Sequence, residues 1–95
     1  MTDKKLICID YDGTYTVFPK ILDKIIELFT VAGHEVICAT MRTELEKTDL
    51  LIELESKVTK IYYTARAAKL VYLLTLGISP DLWIEDNPSW LFCDG

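Results

Sequence analysis

The sequence predicts an α/β domain built on a short parallel sheet. Three observations lead there. Leu6-Ile7-Cys8-Ile9 and Val36-Ile37-Cys38-Ala39 are short, continuous apolar runs, the pattern of strands covered on both faces. The segments between the apolar runs repeat their apolar residues at helical spacing. The two kinds alternate as β-α-β-α-β-α-β, which implies parallel strands joined by right-handed crossovers.

Each element has its own justification. After the first strand a loop runs from Asp10 to Phe18, and Pro19 suits the first turn of a helix. Ile21, Leu22, Ile25, Ile26, Leu28 and Phe29 give that helix its apolar face, and Gly33 stops it. The second strand follows. Thr40 or Thr43 can cap the next helix, over 44–55, with Leu45, Leu50, Leu51, Ile52 and Leu54. Residues 58–63 are β-branched and aromatic and read as a third strand. Thr64 can cap a helix over 65–76 that ends at Gly77. Pro80 opens a fourth strand, Leu82-Trp83-Ile84, and Glu85-Asp86-Asn87-Pro88 is a turn cluster.

Composition bounds the function. The 95 residues leave room for a single domain, 1–95. Ten cations against fifteen anions give a net charge of −5, and the pI is about 4.7. No Lys/Arg run offers a basic face to a nucleic-acid duplex. An apolar content of 51% excludes a disordered tail. It suits a fold buried on two faces, or a chain that hides surface against a second subunit. Three cysteines with no C-x-x-C pair exclude a disulfide scaffold and predict buried, reduced thiols, which fits a cytoplasmic protein. The first residues lack the pattern of a leader. The longest apolar stretch, Leu70 to Leu74, predicts no membrane span.

In parallel sheets of this kind ligands bind beyond the carboxyl ends of the strands. Asp10-Tyr11-Asp12-Gly13-Thr14 follows the first strand, and Thr40 and Arg42 follow the second. Thr64, Arg66 and Lys69 follow the third, and Glu85 and Asp86 the fourth. Carboxylates, hydroxyls and cations therefore converge on one edge. Carboxylates as close as Asp10 and Asp12 call for a counter-ion, and Mg²⁺ held by carboxylate, backbone oxygen and water supplies one. An Asp nucleophile, a divalent cation, a hydroxyl and an ammonium together suit phosphoryl transfer. A calcium loop starting at Asp10 fails, because its sixth position is Tyr15 and its twelfth Ile21.

These motifs resemble the haloacid dehalogenase-like (HAD) phosphohydrolases. Asp10-x-Asp12-Gly13-Thr14 after a strand is similar to their first motif, and Ile37-Cys38-Ala39-Thr40 to the second. Lys69, eight residues before Gly77, looks like the third, and Trp83-Ile84-Glu85-Asp86-Asn87-Pro88 resembles the fourth. The match runs through the whole chain in order. It implies a three-layer α/β/α Rossmann-like fold with strand order 3-2-1-4. It also implies a Mg²⁺-dependent phosphatase working through an aspartyl-phosphate on Asp10.

The resemblance implies a role for each position. Asp12 would serve as general acid and then base, its backbone carbonyl meeting the metal. Thr40 would hydrogen-bond the phosphoryl oxygens and Lys69 would neutralise them. Asp86 would complete a metal site with Asp10 and Asp12, with Glu85 as an occasional ligand. Thr14 would brace the loop that receives substrate. Arg42 has no family-wide role, but two residues past Thr40 it lies within reach of the site to grip substrate.

Three features depart from the family pattern. The fourth motif carries Glu85 where Asp or Gly is common. Tyr15 replaces an aliphatic residue, and would line the mouth or stack on a base. The sequence ends nine residues after Asp86, so the sheet would have four strands. Only four residues separate Thr14 from Pro19, and five separate Tyr63 from Lys69. Neither gap holds a cap domain, which predicts an open site. Open sites go with large substrates, or with a second subunit as lid. Polynucleotide-kinase-type end phosphatases carry a similar acidic turn, so a phosphorylated small molecule or nucleic-acid end is the expected substrate. The rivals are a signalling receiver domain, which needs an Asp after the third strand, and a catalytically inactive binding protein. His34 is expected at the opposite edge with a structural role. Trp90, Leu91 and Phe92 are expected to fold onto the sheet edge or to meet a second subunit.

Overall fold

A computed structural model describes residues 3–95. Four strands, β1 (Leu6–Asp10), β2 (Glu35–Thr40), β3 (Ile61–Tyr63) and β4 (Leu82–Ile84), form one sheet in the order β3-β2-β1-β4. All pairs are parallel, as the alternating pattern predicted. Three helices, α1 (Pro19–Val31), α2 (Asp49–Glu55) and α3 (Lys69–Thr75), connect them.

The strand alternation sorts the core. Ile7, Ile9, Val36 and Cys38 pack with Leu22 and Ile26 of α1 and Leu51 and Leu54 of α2. Cys8, Ile37 and Ala39 pack instead with Leu73 of α3, joined by Tyr62, Tyr72 and Trp83. Successive strand residues point to opposite faces, so both faces of the sheet carry packed residues. Cys8 and Cys38 are free and buried, and burial pushes both thiols up, out of the thiolate range. Among the described residues no helix is long and apolar enough to cross a membrane.

Several boundaries differ from expectation. The helix foreseen over 44–55 is interrupted. Thr43 and Glu46 form a capping box around one turn of 3₁₀ helix, Glu44–Glu46. Thr48 then caps α2 afresh, its Oγ1 accepting from Leu51 N at 3.2 Å. Regular β3 is shorter than 58–63, although Thr59 N still donates to Val36 O at 2.9 Å. α3 begins at Lys69 rather than 65, because Ala65 and Arg66 have φ of 52° and 73°. Thr64 therefore caps no helix, and its hydroxyl donates to Ala67 O at 2.7 Å. Gly33 ends α1 as expected, with φ 95°.

β4 is a short edge strand beside an apolar hollow of about 530 Å³ lined by Ile25, Leu28, Phe29, Ala32, His34 and Ile84. His34 lies at the amino-terminal ends of the strands, where its Nδ1 accepts from Lys5 N at 3.0 Å. That location, opposite the carboxyl ends of the strands, is the expected one.

Candidate functional site

Register brings the chemistry together. Asp10 pairs with Ala39 and Ile9 with Ile84. Thr40 and Glu85 therefore both lie at the carboxyl edge, beside Asp10. Asp10 is buried, as is Lys69, the first residue of α3. The Lys69 ammonium donates to Asp10 Oδ1 and, at 2.5 Å, to Glu85 Oε1. Thr14 Oγ1 donates to Asp10 Oδ2 at 3.0 Å and accepts from Asp86 N at 3.2 Å. Residues 10, 14, 69, 85 and 86 thus form one connected cluster.

Gly13 makes this closure possible. Its φ is 83°, and a Cβ placed there would lie 2.5 Å from Asp86 Oδ2. Only a residue without a side chain lets the β1 loop and the turn after β4 come this close.

The charges do not balance within the cluster. Asp10, Glu85 and Asp86 each place an oxygen within 4.8 Å of the others, and Lys69 brings a single positive charge. Burial pushes the Asp10 carboxyl up to about 8, against the opposing hydrogen bond from Lys69. A hydrogen bond with Asp10 holds Asp86 below the usual carboxylate range. Burial draws the Lys69 ammonium down, but its bonds to Asp10 and Glu85 outweigh this and hold it above its ordinary value. Carboxylate oxygens with surplus negative charge are the donor set that hard divalent cations take.

Asp12 stands apart from this cluster. Both its oxygens are engaged by Arg42: Nε donates to Oδ2 at 2.9 Å and Nη2 to Oδ1 at 2.8 Å. Arg42 also donates to Glu46 O at 3.2 Å and lies over the Tyr11 ring, 5.5 Å from its centroid. Arg66 donates to Met41 O at 2.6 Å and Glu46 Oε2 at 2.8 Å, fastening the same loop. Thr40 is buried, and its Oγ1 accepts from Arg42 N at 3.3 Å. Among the described residues no hydrogen bond links Thr40 to Asp10 or Lys69.

A cleft of about 160 Å³ opens over the cluster, lined by Asp10, Asp12, Met41, Lys69, Asp86, Asn87 and Trp90. Three of these were not foreseen as site residues. Met41 lies between two residues that were, and Asn87 and Trp90 lie just after the acidic turn. Trp90 was expected at the sheet edge or against a second subunit. A 3₁₀ turn, Pro88–Leu91, carries it to the cleft wall. Asn87 caps that turn, its Oδ1 accepting from Ser89 N at 3.3 Å and Ser89 Oγ at 2.6 Å. The following segment is pinned beside the site. Ala68 N donates to Asp94 Oδ1, and Gly95 N to Arg66 O, both at 2.7 Å.

Tyr15 corrects an expectation. It neither lines the mouth nor is free to stack on a base. Its side chain is fully buried in the core, and its hydroxyl donates to Asp23 Oδ1 at 2.5 Å. Lys57 meets the same hydroxyl at 3.2 Å and Asp23 Oδ2 at 3.0 Å. No family model, curated protein or solved structure matches the chain.

Proposed function

We propose that the chain is a Mg²⁺-dependent phosphomonoester hydrolase of the HAD-like kind, with a three-layer Rossmann-like fold and an aspartyl-phosphate intermediate on Asp10. One observation carries the reading. A single buried ammonium, Lys69, bridges the carboxylates of Asp10 and Glu85, which lie 75 positions apart in the sequence. A plain solvated edge has no reason to bury one cation among three carboxylates. Asp10, Asp86 and the Asp12 backbone carbonyl would hold the cation, with Glu85 adjacent. When bound, Mg²⁺ would neutralise the phosphoryl oxygens.

The residues divide the work. An oxygen of Asp10 attacks phosphorus, and the bond from phosphorus to the ester oxygen breaks. Lys69 balances charge on Asp10 and on the phosphoryl group. Thr14 fixes the Asp10 carboxylate against rotation. Asp12 gives a proton to the departing ester oxygen, then takes one from the water that attacks phosphorus, and the bond from phosphorus to the Asp10 oxygen breaks to release inorganic phosphate. Both Asp12 oxygens are engaged by Arg42, so this pair must open for Asp12 to act. The Thr40 hydroxyl, at the end of β2, would donate a hydrogen bond to the phosphoryl oxygens. A phosphorylated small molecule or nucleic-acid end fits a site without an inserted cap.

The test is hydrolysis of an aryl phosphate with Mg²⁺ by the chain and by Asp10→Asn. Turnover that disappears in the variant, while its melting remains cooperative, supports the reading. Full turnover by the variant overturns it. A second reading, an inactive binding protein, draws on the Arg42 pairing that occupies Asp12. It predicts Mg²⁺-dependent phosphate binding without turnover.

A further inference from the structure

The cleft has two chemically different walls. Asp10, Asp12, Lys69 and Asp86 make one side ionic, whereas Met41 and Trp90 make the other apolar. The turn that carries Trp90 is tied down. The Trp90 backbone N donates to Asn87 O at 3.1 Å, and Leu91 beside it is buried. Trp90 and Met41 also share a neighbour. A Cβ built on Gly95 would lie 3.1 Å from Met41 Sδ and 3.8 Å from Trp90 Cζ3. Trp90 is nonetheless 38% exposed. An indole on a tied-down turn, sharing the cleft wall with a thioether and partly open to solvent, offers a face on which a planar ring can stack.

The same cleft offers a hydrogen-bond donor. Both contacts to the Asn87 side chain use Oδ1. Its amide Nδ2 donates to no described residue, and Asn87 lines the cleft. A ring stacked on Trp90 with an acceptor on its rim would meet that amide. Nucleobases carry ring nitrogens and carbonyls in that position, and plain aryl groups do not.

We propose that Trp90, supported by Met41, stacks the nucleobase of a nucleoside monophosphate whose phosphate sits over Asp10 and Lys69. The proposal rests on the phosphoryl-group reading of this site and assigns it a substrate class. Losing base stacking on an aromatic side chain weakens binding by roughly tenfold.

The experiment is calorimetric titration of the Asp10→Asn chain with Mg²⁺, which separates binding from turnover. The probes are adenosine monophosphate and glycerol phosphate, matched in their phosphate but not in the ring. Adenosine monophosphate is expected to bind tighter. Adding Trp90→Leu should weaken it about tenfold, Trp90→Phe should restore most of the loss, and glycerol phosphate should move less than twofold. Equal loss on both probes, no preference for the nucleotide, or no binding of either overturns the proposal. If the Leu variant does not fold, tryptophan fluorescence decides. Quenching by the nucleotide that Trp90→Phe abolishes supports stacking, and no quenching refutes it. Aryl phosphate turnover by the unaltered chain is scored separately, so failure of catalysis and failure of stacking are distinguishable.

Discussion

Gly13 and Asp86 lie so close that the first leaves no space for a side chain beside the second. Alanine at this position meets two penalties, a φ of 83° and a carboxylate 2.5 Å from its Cβ. Gly13→Ala is therefore expected to lower stability by about 1–3 kcal/mol. It should also push Asp86 away from Asp10. Thermal melting with and without Mg²⁺ checks both effects, the second as a smaller Mg²⁺-induced rise in melting temperature.

Lys69 is the only cation in contact with Asp10 and Glu85 among the described residues. Lys69→Met leaves two buried carboxylates facing each other without a counter-charge. Breaking a buried pair in this way costs about 3–5 kcal/mol. Mg²⁺ should recover part of that loss in a melting experiment, more than it adds to the parent chain. Aryl phosphate turnover should fall by about 10²–10³-fold.

The raised Asp10 pKa has a definite sign for stability. Its carboxyl titrates at about 8 in the folded chain and near 3.9 when unfolded. Between these values the folded state binds the extra proton, so stability falls as pH rises. The contribution is fully present below about pH 4 and is lost as pH passes 8. Melting temperatures in a chelator, taken from pH 4.5 to 8.5, should decline across this window. Asp10→Asn should flatten the decline and melt higher than the parent at pH 7. Glu46, held at about 2 chiefly by its hydrogen bond from Arg66, titrates below this window.

Asp12 and Arg42 form a half-exposed pair, and exposed pairs contribute about 0–1 kcal/mol. Asp12→Asn should therefore leave the melting temperature nearly unchanged. Its effect should fall on chemistry, with turnover lower by about 10²–10⁴-fold. A large loss of stability with little loss of turnover would contradict the assigned role.

The strand ends were legible because each apolar run stops abruptly at a polar residue. Asp10, Thr40 and Glu85 could be placed on one edge from that pattern alone. The start of α3 was not legible. Ala65 and Arg66 adopt positive φ without the Gly or Asn that usually marks such a turn. The break before α2 was hidden by two threonines five residues apart, Thr43 and Thr48, each able to cap. Tyr15 and Trp90 exchanged roles for a related reason. An aromatic residue near a site does not reveal its direction, and here the Asp23 and Lys57 partners draw Tyr15 inward. The Arg42 hold on Asp12 joins residues 30 apart and left no local signal.

The oxygen donors around Asp10 come from strands of unequal security. Asp10 ends β1, which is flanked by β2 and β4, whereas Glu85 and Asp86 follow the short edge strand β4. Edge elements open more readily than central ones. When β4 frays, both of its carboxylates leave together and the site is dismantled without global unfolding. A cation bound there would tether that edge to the middle of the sheet. Amide exchange in Leu82–Ile84 should therefore slow on cation binding far more than exchange in β2, making this edge strand the reporter of occupancy.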